Sequence, residues 1–412
     1  MRHVVVMVTT SYPRFPGDSV GTFMEPIAKS VAARGHAVHL VAPWHPLVAR
    51  GPREDGVTFH FFKYAPFRSL NIFGYAAAMR ADVRLRGAAF VAAPLALAAG
   101  WRAARSVARR YGATMMHGHW VVPGGIMAAM AQPDLPLVVS LHGSDVFVAE
   151  TLGPARAAAR IAFRRAGAVT ACSDDLGRRA VALGATPERL EIIPYGVDVT
   201  RFRPDDAARA ECRARLGVAP DMPLVFAAGR LVRKKGFEYL IDAVAQLPAG
   251  APVVLAIAGE GDLAAELRER ARAAGIAERV RFLGNLTQDD VAAHMAAADV
   301  AVVASVRDDA GNVDGLPNVA LEALASGTPL VTTAAGGIGA VVTHDRDALV
   351  VPERDARALA SAIAALAADR AHARRLAEAA RSLVADRFGW DRTAGRIEAA
   401  YDRALAFKSS ER

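Results

Sequence analysis

The chain has 412 residues, enough for two or three domains that each bury a core, and its 53% hydrophobic and 22% charged residues are ordinary for a soluble globular protein. The net charge of +8 is uneven, with 22 Lys and Arg against 12 Asp and Glu over residues 1–195 and 28 against 30 in the remainder. Only Cys172 and Cys212 occur, far apart and without a CxxC partner, which excludes a disulfide framework and a cysteine zinc site and suggests a reducing, cytoplasmic setting.

The apolar run over residues 4–8 is too short for a signal peptide and reads as a buried first strand. Residues 14–23, with Gly17 and Gly21, form an expected flexible loop whose backbone N–H groups could approach a phosphate, although it is no GxGxxG fingerprint. A helix follows over 23–34, stopped by Gly35, and then a strand over 38–41. Residues 50–110 hold 11 basic and 3 acidic groups. With Phe62, Tyr64, Phe67, Phe73, Tyr75 and Trp101 among them, this stretch suits either a solvated Arg-rich helix face or an anionic membrane surface presenting a lipid acceptor. The longest apolar stretch, 87–101, is shorter than a bilayer span and contains Pro94, so no transmembrane helix is expected.

Strands are then expected over 114–117, 137–141, 168–171 and 190–193, alternating with helical patterns as in parallel βαβ units. His117 and His119 share one face around Gly118. No third ligand lies near in sequence, so they read as packing and hydrogen-bonding groups. His142, after the strand 137–141 and before Gly143, Ser144 and Asp145, is a polar group at a strand's carboxyl end. Gly and Pro punctuate 194–204, an expected crossing between domains.

The second half repeats the pattern with strands over 224–228, 253–258, 280–283, 300–303, 330–333 and 348–350, then three helical patterns over 355–407. Arg230 and Lys235 fall between a strand and a helix, where cations add to the positive end of the helix dipole and suit a diphosphate. Arg233 and Lys234 read as a basic turn exposed to water. Gly259 to Asp262 and Gly336 to Gly339 follow strands too, as close-approach loops or as tight turns. Asp314 precedes a helix that begins near Pro317, and Glu322 lies about 1.5 turns inside it, so the two acids can face one pocket and hold polyol hydroxyls. Asp308-Asp309 reads as an exposed loop pair and not a metal clamp.

Together these motifs resemble family 4 glycosyltransferases, the retaining group of the GT-B fold. The resemblance spans nearly the whole chain. It runs through Gly21-Thr22-Phe23, Ala33 to Val38, His142-Gly143-Ser144-Asp145, Ile193 to Asp198 and Gly229-Arg230 to Lys235-Gly236. It ends on the acid-x7-acid pair Asp314 and Glu322, followed by Gly327-Thr328-Pro329. Asp314 stands where the family usually has Glu, and Gly339-Ala340 where it often has Pro-Glu.

The resemblance implies an α/β protein of two Rossmann-like, doubly wound domains facing a central cleft. Residues 1–195 would bind the acceptor and 196–387 the nucleotide sugar, with 388–412 crossing back to the first domain. It implies that Glu322 holds the donor ribose, that Asp314, Leu316, Pro317 and Asn318 hold the transferred sugar, and that Arg230 and Lys235 hold the diphosphate. His142 would lie by the reacting sugar. Gly21, Gly259 and Leu283 complete the expected donor set, and His119, His142 and Asp145 the expected acceptor set. It implies retention of configuration with neither metal nor cofactor. The expected partners are a nucleotide-sugar donor, a sugar or lipid-linked acceptor and an anionic membrane face, with no nucleic acid. The alternatives are a nucleotide-sugar epimerase or phosphorylase on the same fold, and a dinucleotide-dependent oxidoreductase, against which the absent GxGxxG counts.

Overall fold

The structure, a computed structural model, describes residues 2–18, 20–65, 71, 74–75, 79–80, 84–85, 87–248 and 252–411. The chain divides into two compact units, Met1–Tyr195 with Trp390–Arg412, and Gly196–Gly389.

The first unit contains β1 (Val4–Val8), α1 (Met24–Ala33), β2 (Ala37–Pro43), β3 (Arg53–Glu54), β4 (Val57–Phe62), β5 (Met79–Arg80), β6 (Arg84–Leu85) and α2 (Gly87–Arg110). It continues with β7 (Met115–His119), α3 (Ile126–Ala131), β8 (Leu137–Leu141), α4 (Ser144–Thr151), α5 (Gly153–Arg165), β9 (Ala168–Ala171), α6 (Asp174–Ala182) and β10 (Leu190–Ile192). Its main sheet has the order β10-β9-β8-β7-β1-β2-β4-β3, parallel throughout except where β3 meets β4; β5 and β6 form a separate antiparallel pair. The central strands β7 and β8 are buried at every residue. Coverage on both faces is why the polar side chains they carry, His117, His119 and Ser140, are each hydrogen-bonded within the buried sheet.

In the second unit, α7 (Asp206–Leu216) precedes β11 (Leu224–Ala228), α8 (Phe237–Ala245), β12 (Val254–Ala258), α9 (Ala264–Ala273), β13 (Val280–Gly284) and α10 (Gln288–Ala297). Then come β14 (Val300–Val303), α11 (Asn318–Ser326), β15 (Leu330–Thr333), β16 (Leu349–Val351), α12 (Ala356–Ala368) and α13 (Arg370–Arg387). All six strands are parallel, in the order β13-β12-β11-β14-β15-β16. Leu255, Ile257, Val300 and Val331 from the sheet pack with Leu240, Ile241 and Ile363 from helices into one core. The Thr287 hydroxyl accepts from the Asp290 N–H and so caps α10.

The last helix, α14 (Trp390–Ser410), belongs to the first unit and packs against α1, β8 and β9. The Tyr401 hydroxyl lies 2.9 Å from His117 Nδ1, fully buried. Arg34 on the α1 side bonds Glu398 at 2.7 Å and Asp391 at 3.1 Å.

Two expectations change here. Residues 57–62 form a strand, β4, that the sequence reading passed over; its alternation of Val57 and Phe59 with Thr58 and His60 is that of a half-buried strand near a sheet edge. Three of the aromatic residues expected to face a membrane turn inward, Phe62, Tyr64 and Tyr75 being buried, while half-buried Trp101 donates its indole N–H to the Met130 carbonyl at 2.9 Å. Phe67 and Phe73 lie outside the described residues. No helix among the described residues is long and apolar enough to cross a membrane.

Candidate functional site

Each sheet collects chemistry at its carboxyl edge, where parallel strands hand over to loops and open α/β folds bind ligands. In the first unit β7 leads to Trp120, β8 to His142, and β10 through Ile193 and Pro194 to Tyr195. His142 Nδ1 is 2.7 Å from the Tyr195 hydroxyl, and its Nε2 is 3.1 Å from His119 Nδ1. Burial pushes the His142 and His117 imidazoles down to about 3 and holds His119 well below the ordinary imidazole value, so all three are neutral at physiological pH. His117 Nε2 also contacts the Ser140 hydroxyl at 2.8 Å.

Two of the expected acceptor contacts take other places. His119 has no exposed surface and lies beneath His142, so it can reach an acceptor only through that ring. Asp145 is 2% exposed, and its carboxylate accepts from the backbone N–H groups of Val121 at 2.7 Å, Gly143 at 2.9 Å and His142 at 3.3 Å. It ties the turn after β7 to the turn after β8. Burial raises its pKa, and those backbone bonds oppose the rise.

The loop before α1 is tied down and not the free loop the glycines suggest. Arg14 makes a bidentate pair with Asp18, and the buried Arg50 guanidinium donates to the carbonyls of Pro13 and Phe15 and to Glu25 and Glu54. Gly21 sits half-buried in this loop beside Ser11.

In the second unit β11 leads to Gly229 and the turn Arg233–Lys235, which brings Lys235 Nζ to 2.8 Å from Asp314 Oδ2. Lys234 corrects the sequence reading: it is buried, with Nζ 3.4 Å from Asp314 Oδ1. The Ser305 hydroxyl donates to Asp314 Oδ2 at 2.9 Å. Burial alone would raise Asp314, but the Lys235 and Lys234 ammonium groups hold it well below the usual carboxylate range. Arg233 is half-exposed and pairs with Glu266 at 2.6 Å, as a surface turn should.

Glu322, on α11, is 9% exposed. Burial pushes it up to about 7, against the opposing pull of Arg201 and Lys235. Among the described residues it makes no side-chain hydrogen bond, while its neighbour Asn318, which opens α11, keeps a buried Oδ1 without a partner. Both polar groups are therefore available to a ligand. Leu316 and Pro317 are buried under this corner, Leu283 is half-buried at the end of β13, and Arg230 is exposed.

The glycine loops hold this corner together by close backbone approach. A Cβ on Gly259 would stand 2.0 Å from the Gly229 carbonyl oxygen, and one on Gly336 would stand 1.9 Å from that of Asp314. Both glycines are thus required by the chain's own packing. Asp308 accepts from the backbone N–H of Ala310 and Asn312, and Asp309 pairs with Arg354. Among the described residues no three His, Cys, Asp or Glu side chains stand together as a metal site would need.

Sequence reasoning gave no role to Lys234, Ser305, Arg201, Phe23, Trp120 or Tyr195. The one available signal was the pair Lys234-Lys235 before Gly236 in a single tight turn, close enough for both ammonium groups to meet one carboxylate. Nothing in the sequence near Arg201 or Ser305 points to Glu322 or Asp314.

Residues 20–201 match the family model described as Glycosyltransferase Family 4, and residues 208–383 the one described as Glycosyl transferases group 1. The D-inositol 3-phosphate glycosyltransferase 2 of Catenulispora acidiphila is 33% identical over 311 residues, covering 71% of each chain. The chain belongs to glycosyltransferase family 4. A further relative, the GDP-mannose-dependent alpha-(1-6)-phosphatidylinositol monomannoside mannosyltransferase of Mycobacterium tuberculosis, is 34% identical over 245 residues. That match takes in 58% of this chain and 63% of the relative, so this family member spans less than two thirds of the relative's length. Among solved structures, Anabaena HepE in complex with UDP superposes with a TM-score of 0.74 at 21% identity over 97% of this chain and 99% of that one. Sucrose-phosphate synthase of Thermosynechococcus elongatus gives 0.78 at 22% identity over 98% and 100%. These likenesses establish the GT-B fold for this family 4 chain.

Proposed function

We propose that this family 4 member is a retaining, metal-independent glycosyltransferase that moves a sugar from a nucleotide diphosphate sugar to a hydroxyl of its acceptor. The observation that carries the reading is the group around α11, where Glu322 has no hydrogen-bond partner among the described residues and feels the charge of Lys235, itself bonded to Asp314. An ionised Glu322 accepts from two ribose hydroxyls. Asp314, with Leu316, Pro317 and the free Asn318 oxygen, holds the transferred sugar. Lys235 and Arg230 neutralise the leaving diphosphate, a charge that a metal would otherwise meet. The acceptor approaches the face the diphosphate leaves, and a phosphate oxygen takes the acceptor's proton.

Thermal-shift screening with UDP, GDP and ADP and their sugars tests donor binding, because a ligand held by the folded state alone raises the melting temperature. NMR of the product reads the anomeric configuration, and assay in excess EDTA reads the metal requirement. Lys235→Ala should slow transfer by about 10²–10³-fold with the fold intact; turnover at the wild-type rate would sink the diphosphate assignment. Incubation with donor alone separates a transferase from an epimerase.

Relatives named for inositol phosphate and phosphatidylinositol mannoside acceptors favour a cyclic polyol acceptor, free or lipid-linked. The lipid-linked form draws support from α2, whose exposed stripe runs from Leu95, 50% exposed, through Ala98 to Arg102 and Arg109. An apolar end and a cationic end on one stripe fit the surface of an anionic bilayer.

A further inference from the structure

The aromatic rings around His142 have no part in the mechanism above. Trp120 lies 4.6 Å from His142 between ring centroids, Phe23 4.8 Å from His142 and 5.6 Å from Trp120, and Tyr195 5.0 Å from Phe23. They come from three distant segments: the entrance of α1, the end of β7 and the chain after β10. Tyr195 is buried, but Phe23 and Trp120 are half-exposed at the carboxyl edge of the sheet, beside the imidazole.

The backbone shows that this arrangement is imposed. Trp120 has φ 60° and ψ 115°, a sterically costly conformation for a bulky residue. Three hydrogen bonds hold it there. Its N–H donates to the Ser140 carbonyl at 2.9 Å, its carbonyl accepts from Gly125 N–H at 2.8 Å, and the next N–H, of Val121, donates to the buried Asp145 carboxylate at 2.7 Å. A relaxed backbone would turn the indole elsewhere. Strain that the surroundings over-determine belongs with a functional surface.

We propose that Trp120 and Phe23 form a stacking wall for the ring of a cyclic polyol acceptor, with His142 as a polar contact at its rim. The inference rests on the transferase reading insofar as the ring is called an acceptor. A pyranose or cyclitol carries an apolar face of C–H groups that packs on aromatic rings, while its rim of hydroxyls needs donors and acceptors such as imidazole. An open-chain polyol offers the same hydroxyls without that face.

Saturation-transfer NMR on the full chain tests this with methyl α-D-mannopyranoside and myo-inositol as ring probes and mannitol as the open-chain control. The wild type should transfer saturation to the C–H protons of both rings and bind mannitol at least tenfold more weakly. Trp120→Ala should weaken ring binding about tenfold or more and Phe23→Leu severalfold, while Trp120→Phe restores most of it. Melting curves and circular dichroism identify any variant that fails to fold; Phe23→Leu keeps the apolar volume and so stands as the second arm. Ring binding unchanged in Phe23→Leu and in a folded Trp120→Ala, or equal binding of mannitol, overturns the wall. UDP, GDP and ADP binding measured on the same proteins tests the second unit separately: rings bound with none of the three nucleotides bound would overturn the transferase reading and leave the wall standing.

Discussion

Glu322 carries the clearest pH signature at the level of one residue. Its folded-state pKa, about 7, lies above the ordinary value near 4.3, so the folded protein prefers the protonated acid. The stability this gives is complete below about pH 4 and is lost as pH rises through 7. The wild type should therefore be less stable at pH 8 than at pH 5, by at most about 3 kcal/mol, with Glu322→Gln removing the slope. Urea midpoints at four pH values read this directly, and parallel curves for the two proteins would refute it. Nucleotide affinity should run the other way. On the proposed reading, ribose hydroxyls donate to the ionised form, so Kd should fall from pH 6 to pH 8 in the wild type and stay level in Glu322→Gln. Lys234 makes a second case, because it and Lys235 flank one carboxylate yet differ in what they face. Lys234→Met should cost about 1–3 kcal/mol of stability, since a buried charge loses a partner, and lower turnover less than Lys235→Ala does. Equal losses of turnover in the two variants would contradict the division.

Elements explain why these residues meet, and also what the sequence could not show. Strands β8, β9, β11, β14 and β15 fall where the sequence places them, because a parallel strand covered on both faces is a short run dominated by apolar and β-branched residues. Strand β4 escaped because Thr58 and His60 interrupt its apolar run within an Arg-rich stretch. The motif residues were legible by the same logic: His142 lies just past β8, and Lys235 and Asp314 lie in the segments that follow β11 and β14. Their partners were not. Whether Asp145 faces a ligand or the backbone of Val121, 24 residues away, depends on the turn after β7, and no local pattern encodes it. The contact between α14 and β7 is of the same kind, joining Tyr401 to His117 across 284 residues. Tyr401→Phe should leave His117 Nδ1 buried without a partner, costing about 1–3 kcal/mol. A melting temperature within a degree of wild type would show that the hydroxyl contributes nothing there.

At the scale of the whole molecule the charge is the property to test. Residues 1–195 carry 22 basic and 12 acidic side chains, and Phe62, Tyr64 and Tyr75 are buried, so among the described residues the exposed stripe of α2 is the lipid-facing surface to test. Leu95 and Ala98 supply its apolar part, and Arg102, Arg109 and Arg110 its charge. Near an anionic surface each arginine contributes about 1 kcal/mol. Replacing all three by Gln should therefore lower partition onto phosphatidylglycerol-rich vesicles by about 100-fold, and Leu95→Asp should lower it through the lost apolar insertion. The attraction should also weaken as salt shortens the Debye length from about 10 Å at 0.1 M to about 3 Å at 1 M. Flotation of the wild type with anionic vesicles, reduced by salt and by either change, is the expected result. Flotation that survives the triple Arg→Gln change would place the lipid contact elsewhere, and no flotation at low salt would leave an acceptor that reaches the enzyme from water. Because the triple change lies outside the groups around Glu322 and His142, transfer to a water-soluble acceptor should persist in it, which separates loss of membrane contact from loss of the enzyme.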